Sequence, residues 1–233
     1  MRTVISEMTH LNRRQKDHFL MMNSFLEFLN QQTDDFILKG GAAVCLGYGV
    51  PRFTTGLDFV CRRNGPPIKT YVREFCKEHG LNYKFSDHDG TAQCCYIHYG
   101  GYTQPLEITA SYRFPCIPED SVINKNGVRM YNLPSIVGSK LMSYLERNTL
   151  RDLFDVVALT NLHYDSLSAG TAQRLREAFE YKGAHQLQRL SDTGDYDSCI
   201  DVHTLATDFA ACLKKLDILT DQDVEVLSEY VSI

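Results

Sequence analysis

The sequence predicts an α+β protein in which a mixed α/β half, residues 1–133, precedes an all-helical half, residues 134–233. Two observations predict this class. In the first half, short runs that alternate apolar and polar residues stand beside helical patterns, and Gly-rich or Asp-rich turns separate them. After Pro134, apolar residues recur at three- and four-residue spacing, which is typical of amphipathic helices. We therefore expect a mixed sheet flanked by helices, followed by a C-terminal helical bundle.

Each half divides into elements by its periodicity and its turn residues. The strands predicted in the first half lie at residues 34–38, 57–61, 81–86, 91–100, 105–113 and 127–134. The helices predicted there lie at residues 14–31, 42–49 and 65–80. The second half predicts helices at residues 135–148, 149–162, 169–183, 201–216 and 221–233, the last capped by Thr220 or Asp221.

Composition narrows the classes of function. The chain has 233 residues, of which 43% are hydrophobic, and no apolar stretch approaches the ~20 residues that a membrane span needs. Its N-terminus has no apolar core of a secretory signal, so we expect a cytoplasmic protein without a membrane partner and with reduced cysteines. A formal charge of −5 means that any contact with nucleic acid must be local.

A Gly-Gly turn after the first strand predicts an anion site. Backbone amides at a helix N-terminus, left uncovered by Gly40 and Gly41, can bind phosphate, and a triphosphate would suit them. Lys39 next to the turn, and Arg52 and Thr55 in the stretch that follows, are further candidates for contacts with a nucleotide. A purely structural Gly-Gly turn is the alternative.

Two carboxylates on predicted strands are candidate metal ligands. Asp58 shares a strand face with Gly56, because alternate residues point to one side, and it faces the place where a phosphate at Gly40 would lie. Glu107 on a later strand points away from its apolar neighbours. The alternatives are that Asp58 serves as a cap or forms a salt bridge with Arg52 or Arg62, and that Glu107 is an ordinary acid on a solvated face.

A stripe of charged residues marks the first two helices of the second half. Lys140 lies on one helix, and Arg151, Asp152 and Asp155 lie on the next, with the two acids on one face. One interpretation is an Arg–Asp network that joins the helices. The functional interpretation is that Lys140 neutralises nucleotide phosphates while the acids hold it or an attacking hydroxyl.

Three segments, taken in order, resemble the AbiEii-type nucleotidyltransferase toxins, a branch of the polymerase-beta-like nucleotidyltransferase superfamily. They are FILKGGAAVCLGYGVPRFTTGLDFV, Glu107 in PLEITASYRF, and SKLMSYLERNTLRDLFDVVAL. Members of that branch typically read K-G-G-T-A-L, Y-G, R-F-S and D-L-D-F, then a lysine helix followed by R-D-x-x-D. The match spans roughly residues 36–160, and several motifs in the right order are more specific than any single one.

The resemblance implies a polymerase-beta-like fold that uses magnesium and an NTP. Members transfer a nucleoside monophosphate to an acceptor hydroxyl; some act on the 3′ end of tRNA, and they are usually encoded beside an antitoxin, in abortive infection systems. The implied site comprises Gly40 and Gly41 at the triphosphate, Asp58 and Glu107 at the metal, Lys140 at the nucleotide, and Asp152 and Asp155 as the late acidic motif supported by Arg151.

The chain departs from the family pattern at Gly56, which occupies the first position of D-x-D. The first acid normally helps to bind the metal ions that offset phosphate charge, so its loss predicts impaired catalysis. Three explanations stay open: a naturally degenerate enzyme, a chain altered to silence a toxin, and a register in which another acid such as Glu107 substitutes. The otherwise intact motifs favour the second.

The sequence thus predicts a nucleotidyltransferase toxin that acts on an RNA acceptor, impaired by Gly56. The alternatives are a catalytically inactive NTP-binding or RNA-binding regulator, and a nucleotidyltransferase that modifies a protein hydroxyl.

Overall fold

The computed structural model describes residues 11–62, 66–87, 91–101, 103–113, 117–192 and 200–230. The chain divides into two compact units between Asn132 and Leu133. The predicted α+β class is confirmed: the first unit contains a mixed sheet, which has seven strands among the described residues, and the described part of the second unit is helical.

The first unit begins with helix α1 (Arg13–Gln32), which leads into strand β1 (Phe36–Lys39). A helical turn, α2 (Gly40–Ala42), then widens into a π-helical turn at Ala43–Gly47. The elements that follow are β2 (Gly56–Cys61), α3 (Ile68–His79), β3 (Asn82–Asp87), β4 (Ala92–His98), β5 (Leu106–Ser111), a 3-10 turn (Glu119–Ser121), β6 (Val122–Lys125) and β7 (Val128–Tyr131).

The strand order of the sheet is β3-β4-β5-β2-β1-β7-β6. Strand β1 runs antiparallel to β2 and parallel to β7, and β2 runs parallel to β5. The end of β1 and the beginnings of β2 and β5 therefore meet at one edge of the sheet. This edge carries the Gly-Gly turn together with Gly56 and Glu107.

Helices α1 and α3 contact one face of the sheet. Phe36 of β1 packs against Phe59 of β2 and Tyr71 of α3, with ring centroids 6.1 and 5.8 Å apart. Phe25 of α1 meets Phe75 of α3 edge to face at 5.3 Å. Side chains alternate along a strand, so the residues next to these aromatic anchors point to the opposite face of the sheet.

The second unit consists of helices joined by short connections. They are α4 (Leu133–Arg147), α5 (Leu150–His163), a 3-10 turn (Tyr164–Ser166), α6 (Ala169–Lys182), α7 (His185–Asp192), α8 (Val202–Lys215) and α9 (Asp221–Ser228). Polar side chains cap the beginnings of several of these helices, and Thr220, one of the two predicted caps, accepts a hydrogen bond from the Asp223 amide at the start of α9.

The structure differs from the sequence-based prediction at several elements. The segment after Gly41 contains a π-helical turn in place of the predicted regular helix, β6 and α7 were not predicted, and α4 begins at Leu133 before Pro134. The sequence does contain a signal for β6, because an Asn-Gly dipeptide favours a two-residue hairpin turn. In the structure Asn126 and Gly127 both have positive φ, as such a turn requires. The predicted turn at residues 88–90 and the end of the last predicted helix at 231–233 lie outside the described residues.

Within the described part of the chain, no helix combines the length and the apolar character needed to cross a bilayer. The six cysteines described there are buried free thiols.

Candidate functional site

Strand register places the predicted acids of the first unit on one face of the sheet. Lys39 is the partner of Asp58, Gly56 of Glu107, and Asp58 of Thr109. Directly paired residues share a face, as do alternate residues on one strand. Asp58 and Glu107 are therefore diagonal neighbours on the face opposite the aromatic anchors, and Lys39 lies beside Asp58.

The Asp58 carboxylate lies against the Gly-Gly turn. Gly40 has a φ of 66°, and a Cβ added there would lie 2.5 Å from Asp58 Oδ2. Two features therefore favour glycine at this position: the backbone is left-handed, and the Asp58 carboxylate occupies the space that a side chain would need. The turn that should bind phosphate and the acid that should bind metal are consequently in contact.

Gly41 makes room for two other side chains. A Cβ at Gly41 would lie 2.8 Å from the Arg52 guanidinium and 2.8 Å from the Thr54 hydroxyl. Arg52 is only 1% exposed, and its Nη1 donates to the Phe53 carbonyl at 3.0 Å. Arg52 therefore lies against the turn as a buried cation. The hydroxyl next to Gly41 belongs to Thr54, which the sequence analysis did not single out.

Glu107 contacts a thiol. The Cys94 thiol donates to Glu107 Oε1 at 3.4 Å, and burial raises the pKa of Cys94, which keeps this donor protonated. A hydrogen bond with Cys94 is the largest cause that raises the pKa of Tyr96, to about 12. Among the described residues Glu107 forms no ion pair, and its neighbours Cys94 and Tyr96 are neutral groups that the sequence analysis missed. Their alternate spacing on β4 was the available signal.

A side chain at Gly56 would lie close against Glu107. A Cβ at Gly56 would lie 3.2 Å from the Glu107 carbonyl oxygen and 3.4 Å from Glu107 Cβ. The backbone of Gly56 does not lie in the left-handed region, so no conformational strain opposes a larger residue. An aspartate at position 56 would need a shift of a few tenths of an ångström and would join the face that carries Asp58 and Glu107.

A buried histidine of α1 contacts the loop before β2. His18 Nε2 lies 2.9 Å from the Thr55 carbonyl, which also accepts a hydrogen bond from the Glu107 amide at 3.4 Å. A carbonyl only accepts, so Nε2 carries the proton and the Tyr99 hydroxyl donates to Nδ1. Burial lowers the pKa of His18, which favours this neutral form. Thr55, predicted as a nucleotide contact, contributes its carbonyl to this network.

His18 also borders a cavity. The cavity has a volume of about 170 Å³ and is lined by Arg14, His18, Tyr99, Gly101, Thr103 and Gln104. Through His18 it adjoins the edge of the sheet at which Glu107 lies.

The donor set suits magnesium in part. Among the described residues, no three His, Cys, Asp or Glu side chains group as a metal site. Asp58 and Glu107 supply hard oxygen donors on one face, and Mg²⁺ commonly binds one or two carboxylates and takes its other ligands from phosphate and water. The residues present therefore fit one magnesium ion held jointly with a nucleotide, with one acid fewer than the D-x-D pattern.

The predicted residues of the second unit form ion pairs between α4 and α5. Lys140 Nζ lies 2.7 Å from Asp155 Oδ2, and Arg147 Nη2 lies 2.6 Å from Asp152 Oδ1. The side chains of Lys140 and Asp155 are 9% and 0% exposed, whereas Arg151 is exposed. This arrangement matches the interpretation in which the charges join the two helices, and the role of Lys140 at a nucleotide stays a prediction.

The family model described as the nucleotidyl transferase AbiEii toxin of type IV toxin–antitoxin systems matches residues 25–227 of this sequence. The crystal structure of JHP933 from Helicobacter pylori has 19% sequence identity and a TM-score of 0.70, covering 95% of this chain and 100% of that one. A second H. pylori protein, proposed to be a nucleotidyltransferase, has 21% identity and a TM-score of 0.64, covering 94% of this chain and 92% of that one. The sequence has no significant match among curated proteins.

Proposed function

This chain belongs to the AbiEii family of nucleotidyl transferase toxins, and from that premise we propose that it transfers a nucleoside monophosphate from an NTP to a hydroxyl of an RNA acceptor, such as the 3′ end of tRNA. A cognate antitoxin is the expected protein partner, since the family model describes type IV toxin–antitoxin toxins.

One observation carries the proposal: the Asp58 carboxylate fills the space that a side chain at Gly40 would occupy. A triphosphate on the amides of this turn would therefore lie beside a carboxylate, the arrangement that a metal-bound nucleotide needs. Glu107 shares the face with Asp58, so a second oxygen donor lies within the same patch.

The reaction forms one bond and breaks one. The acceptor hydroxyl oxygen bonds to the α-phosphorus, the bond from that phosphorus to the oxygen bridging to the β-phosphate breaks, and pyrophosphate leaves. Asp58 and Glu107 would hold magnesium, which neutralises developing charge on phosphate oxygens. The amides of Gly40 and Gly41 orient the triphosphate, and Glu107 receives the hydroxyl proton at a carboxylate oxygen.

Gly56 limits this activity. Loss of a residue that only supports a metal ligand typically lowers metal affinity or activity by about 10- to 100-fold. Loss of a metal ligand itself should lower activity by more than that. We therefore expect the chain as given to bind an NTP and to transfer the nucleoside monophosphate slowly.

Restoring the acid tests the proposal. Gly56→Asp should raise the labelling of total RNA by an α-labelled NTP with magnesium by more than about 100-fold. Gly56→Asn is the matched control, because it adds the same bulk without the charge and should stay near the parent. RNase and protease digestion of the labelled material separates an RNA acceptor from a protein acceptor. If Gly56→Asp is folded by circular dichroism and labels neither, the enzymatic proposal is wrong.

The missing acid also favours one other function, an NTP-binding regulator without turnover. In that case calorimetry should show magnesium-dependent NTP binding of equal strength in the parent and in Gly56→Asp, with no pyrophosphate released by either.

A further inference from the structure

The second unit contains a cavity that the proposed transfer reaction does not use. Its volume is about 440 Å³, within the range of pockets that hold small ligands, and it lies at the junction of α6 and α7. It is lined by Asn148, Tyr181, Lys182, Gln186, Arg189 and Leu190. The lining thus combines one aromatic ring, two cations and two amides.

Tyr181 presents its ring to solvent at the end of α6. The residue is 83% exposed, which is unusual for so large a side chain, and no ring contact of Tyr181 occurs within the described residues. The neighbouring aromatic residue Phe179 is buried against Tyr144 and Phe209. Core packing therefore uses Phe179 and leaves the Tyr181 ring open to a ligand.

Lys182 is a positioned cation. Its Nζ donates to Asn148 Oδ1 at 3.1 Å and to the Leu145 carbonyl at 3.4 Å, and it lies 5.5 Å from the centroid of the Tyr144 ring. These contacts hold the ammonium group at the end of α4 without neutralising it, because Lys182 forms no ion pair with any described carboxylate.

Two residues of α7 complete the lining. Gln186 is only 4% exposed, and its side chain borders the cavity. Arg189 lies one turn further along α7, is exposed, and forms no ion pair with a described residue.

The two cations of the cavity contrast with the acidic composition of the rest of the second unit. Residues 133–233 contain nine Lys and Arg against sixteen Asp and Glu, so this unit as a whole repels polyanions. Two cations without described acidic partners, beside an open tyrosine and a buried amide, therefore stand out from the rest of its surface.

We propose that this cavity binds one nucleotide of single-stranded RNA, with the base on the Tyr181 ring, the Gln186 amide at the base edge, and a backbone phosphate between Lys182 and Arg189. Single-stranded RNA is bound by aromatic stacking combined with nearby cations, which is the composition of this lining. The choice of RNA rests on the proposed function, whereas the cavity and its lining do not.

Fluorescence anisotropy of a short labelled oligoribonucleotide, without NTP, tests the assignment on the full chain. Tyr181→Ala should weaken binding by about 5- to 150-fold, because stacking on an aromatic residue is lost, while Tyr181→Phe should keep it. Arg189→Gln should weaken binding and flatten its dependence on salt concentration. Melting temperatures of these exposed-site variants should match the parent.

Two variants serve as matched controls. Tyr83→Ala removes another exposed tyrosine, on β3, and Arg174→Gln removes an exposed arginine of α6 that does not line the cavity. Both should bind the oligonucleotide like the parent. The assignment is overturned if the parent does not bind RNA, if Tyr181→Ala binds as well as the parent, or if Tyr181→Phe is weakened as much as Tyr181→Ala.

The experiments distinguish a wrong cavity assignment from a wrong proposed reaction. If Gly56→Asp labels RNA and adding Tyr181→Ala changes neither anisotropy nor the KM for RNA, the cavity assignment alone is wrong. If Tyr181→Ala weakens RNA binding as expected while Gly56→Asp transfers no nucleotide, the cavity assignment stands and the proposed reaction is wrong.

Discussion

The acids of the first unit and those of the second unit differ in what surrounds them. Asp58 and Glu107 are half-buried on a sheet face, the first against a glycine turn and the second against a thiol. Asp155 is fully buried and pairs with Lys140 at 2.7 Å. Asp58 lies beside a turn whose backbone amides could bind a phosphate, whereas Asp155 is enclosed with a lysine between two helices. We therefore expect Asp58 and Glu107 to serve the proposed reaction and Asp155 to serve the packing of the second unit.

The sharpest test of this contrast is Asp58→Asn in the Gly56→Asp background. Transfer should fall by more than about 100-fold, because a direct metal ligand is lost. The measurement is NTP labelling of RNA together with a denaturant titration. Asp34→Asn is the control, since Asp34 pairs with Arg129 at the surface. An Asp58→Asn variant that labels as well as its background would remove Asp58 from the site.

In the second unit, Asp155→Ala should lower the unfolding free energy by about 3–5 kcal/mol, because Lys140 is left as a buried charge without its partner. The double change Lys140→Met with Asp155→Leu should recover most of that loss. Urea titration measures both.

The double variant also tests the predicted nucleotide contact of Lys140. If it is folded and binds NTP like the parent, the pair is structural; if it is folded and has lost NTP binding, the contrast between the two units fails.

Gly40→Ala should cost about 1–2 kcal/mol from the left-handed backbone alone, and more because its Cβ would meet the Asp58 carboxylate. Gly49→Ala is the matched control, because Gly49 also has a left-handed backbone, with a φ of 73°, and an added Cβ there would have no atom within 4 Å. The difference between the two variants in stability and in NTP affinity isolates the contact with Asp58. Equal losses in both would show that the carboxylate does not lie against the turn.

The smallest expected effect concerns His18. Burial lowers its pKa below the ordinary 6.5, so the unfolded chain binds a proton before the folded one as the pH falls. The contribution of neutral His18 to stability is complete above about pH 6.5 and is lost progressively below it. His18→Gln should reduce the slope of unfolding free energy against pH in that window. An unchanged slope in His18→Gln would contradict the buried, neutral assignment.

The motifs of the first unit could be predicted because they are local. Gly40 follows a strand within a few residues, and Gly56 and Asp58 alternate on another, so turn chemistry and strand periodicity suffice. The Asn126-Gly127 dipeptide is an equally local signal for a hairpin, although the sequence-based prediction did not include strand β6. Short α7 was missed because few residues carry its pattern.

Sequence alone determined the α+β class, the order of the motifs and the absence of an acid at position 56, since each depends on residue types at short spacing. Tertiary structure decided that Gly56 stands opposite Glu107, that the Asp58 carboxylate replaces a side chain at Gly40, and that Lys140 is buried with Asp155. The physical reason is that pairing between distant strands and between helices depends on the packing of the whole unit, which local periodicity does not specify.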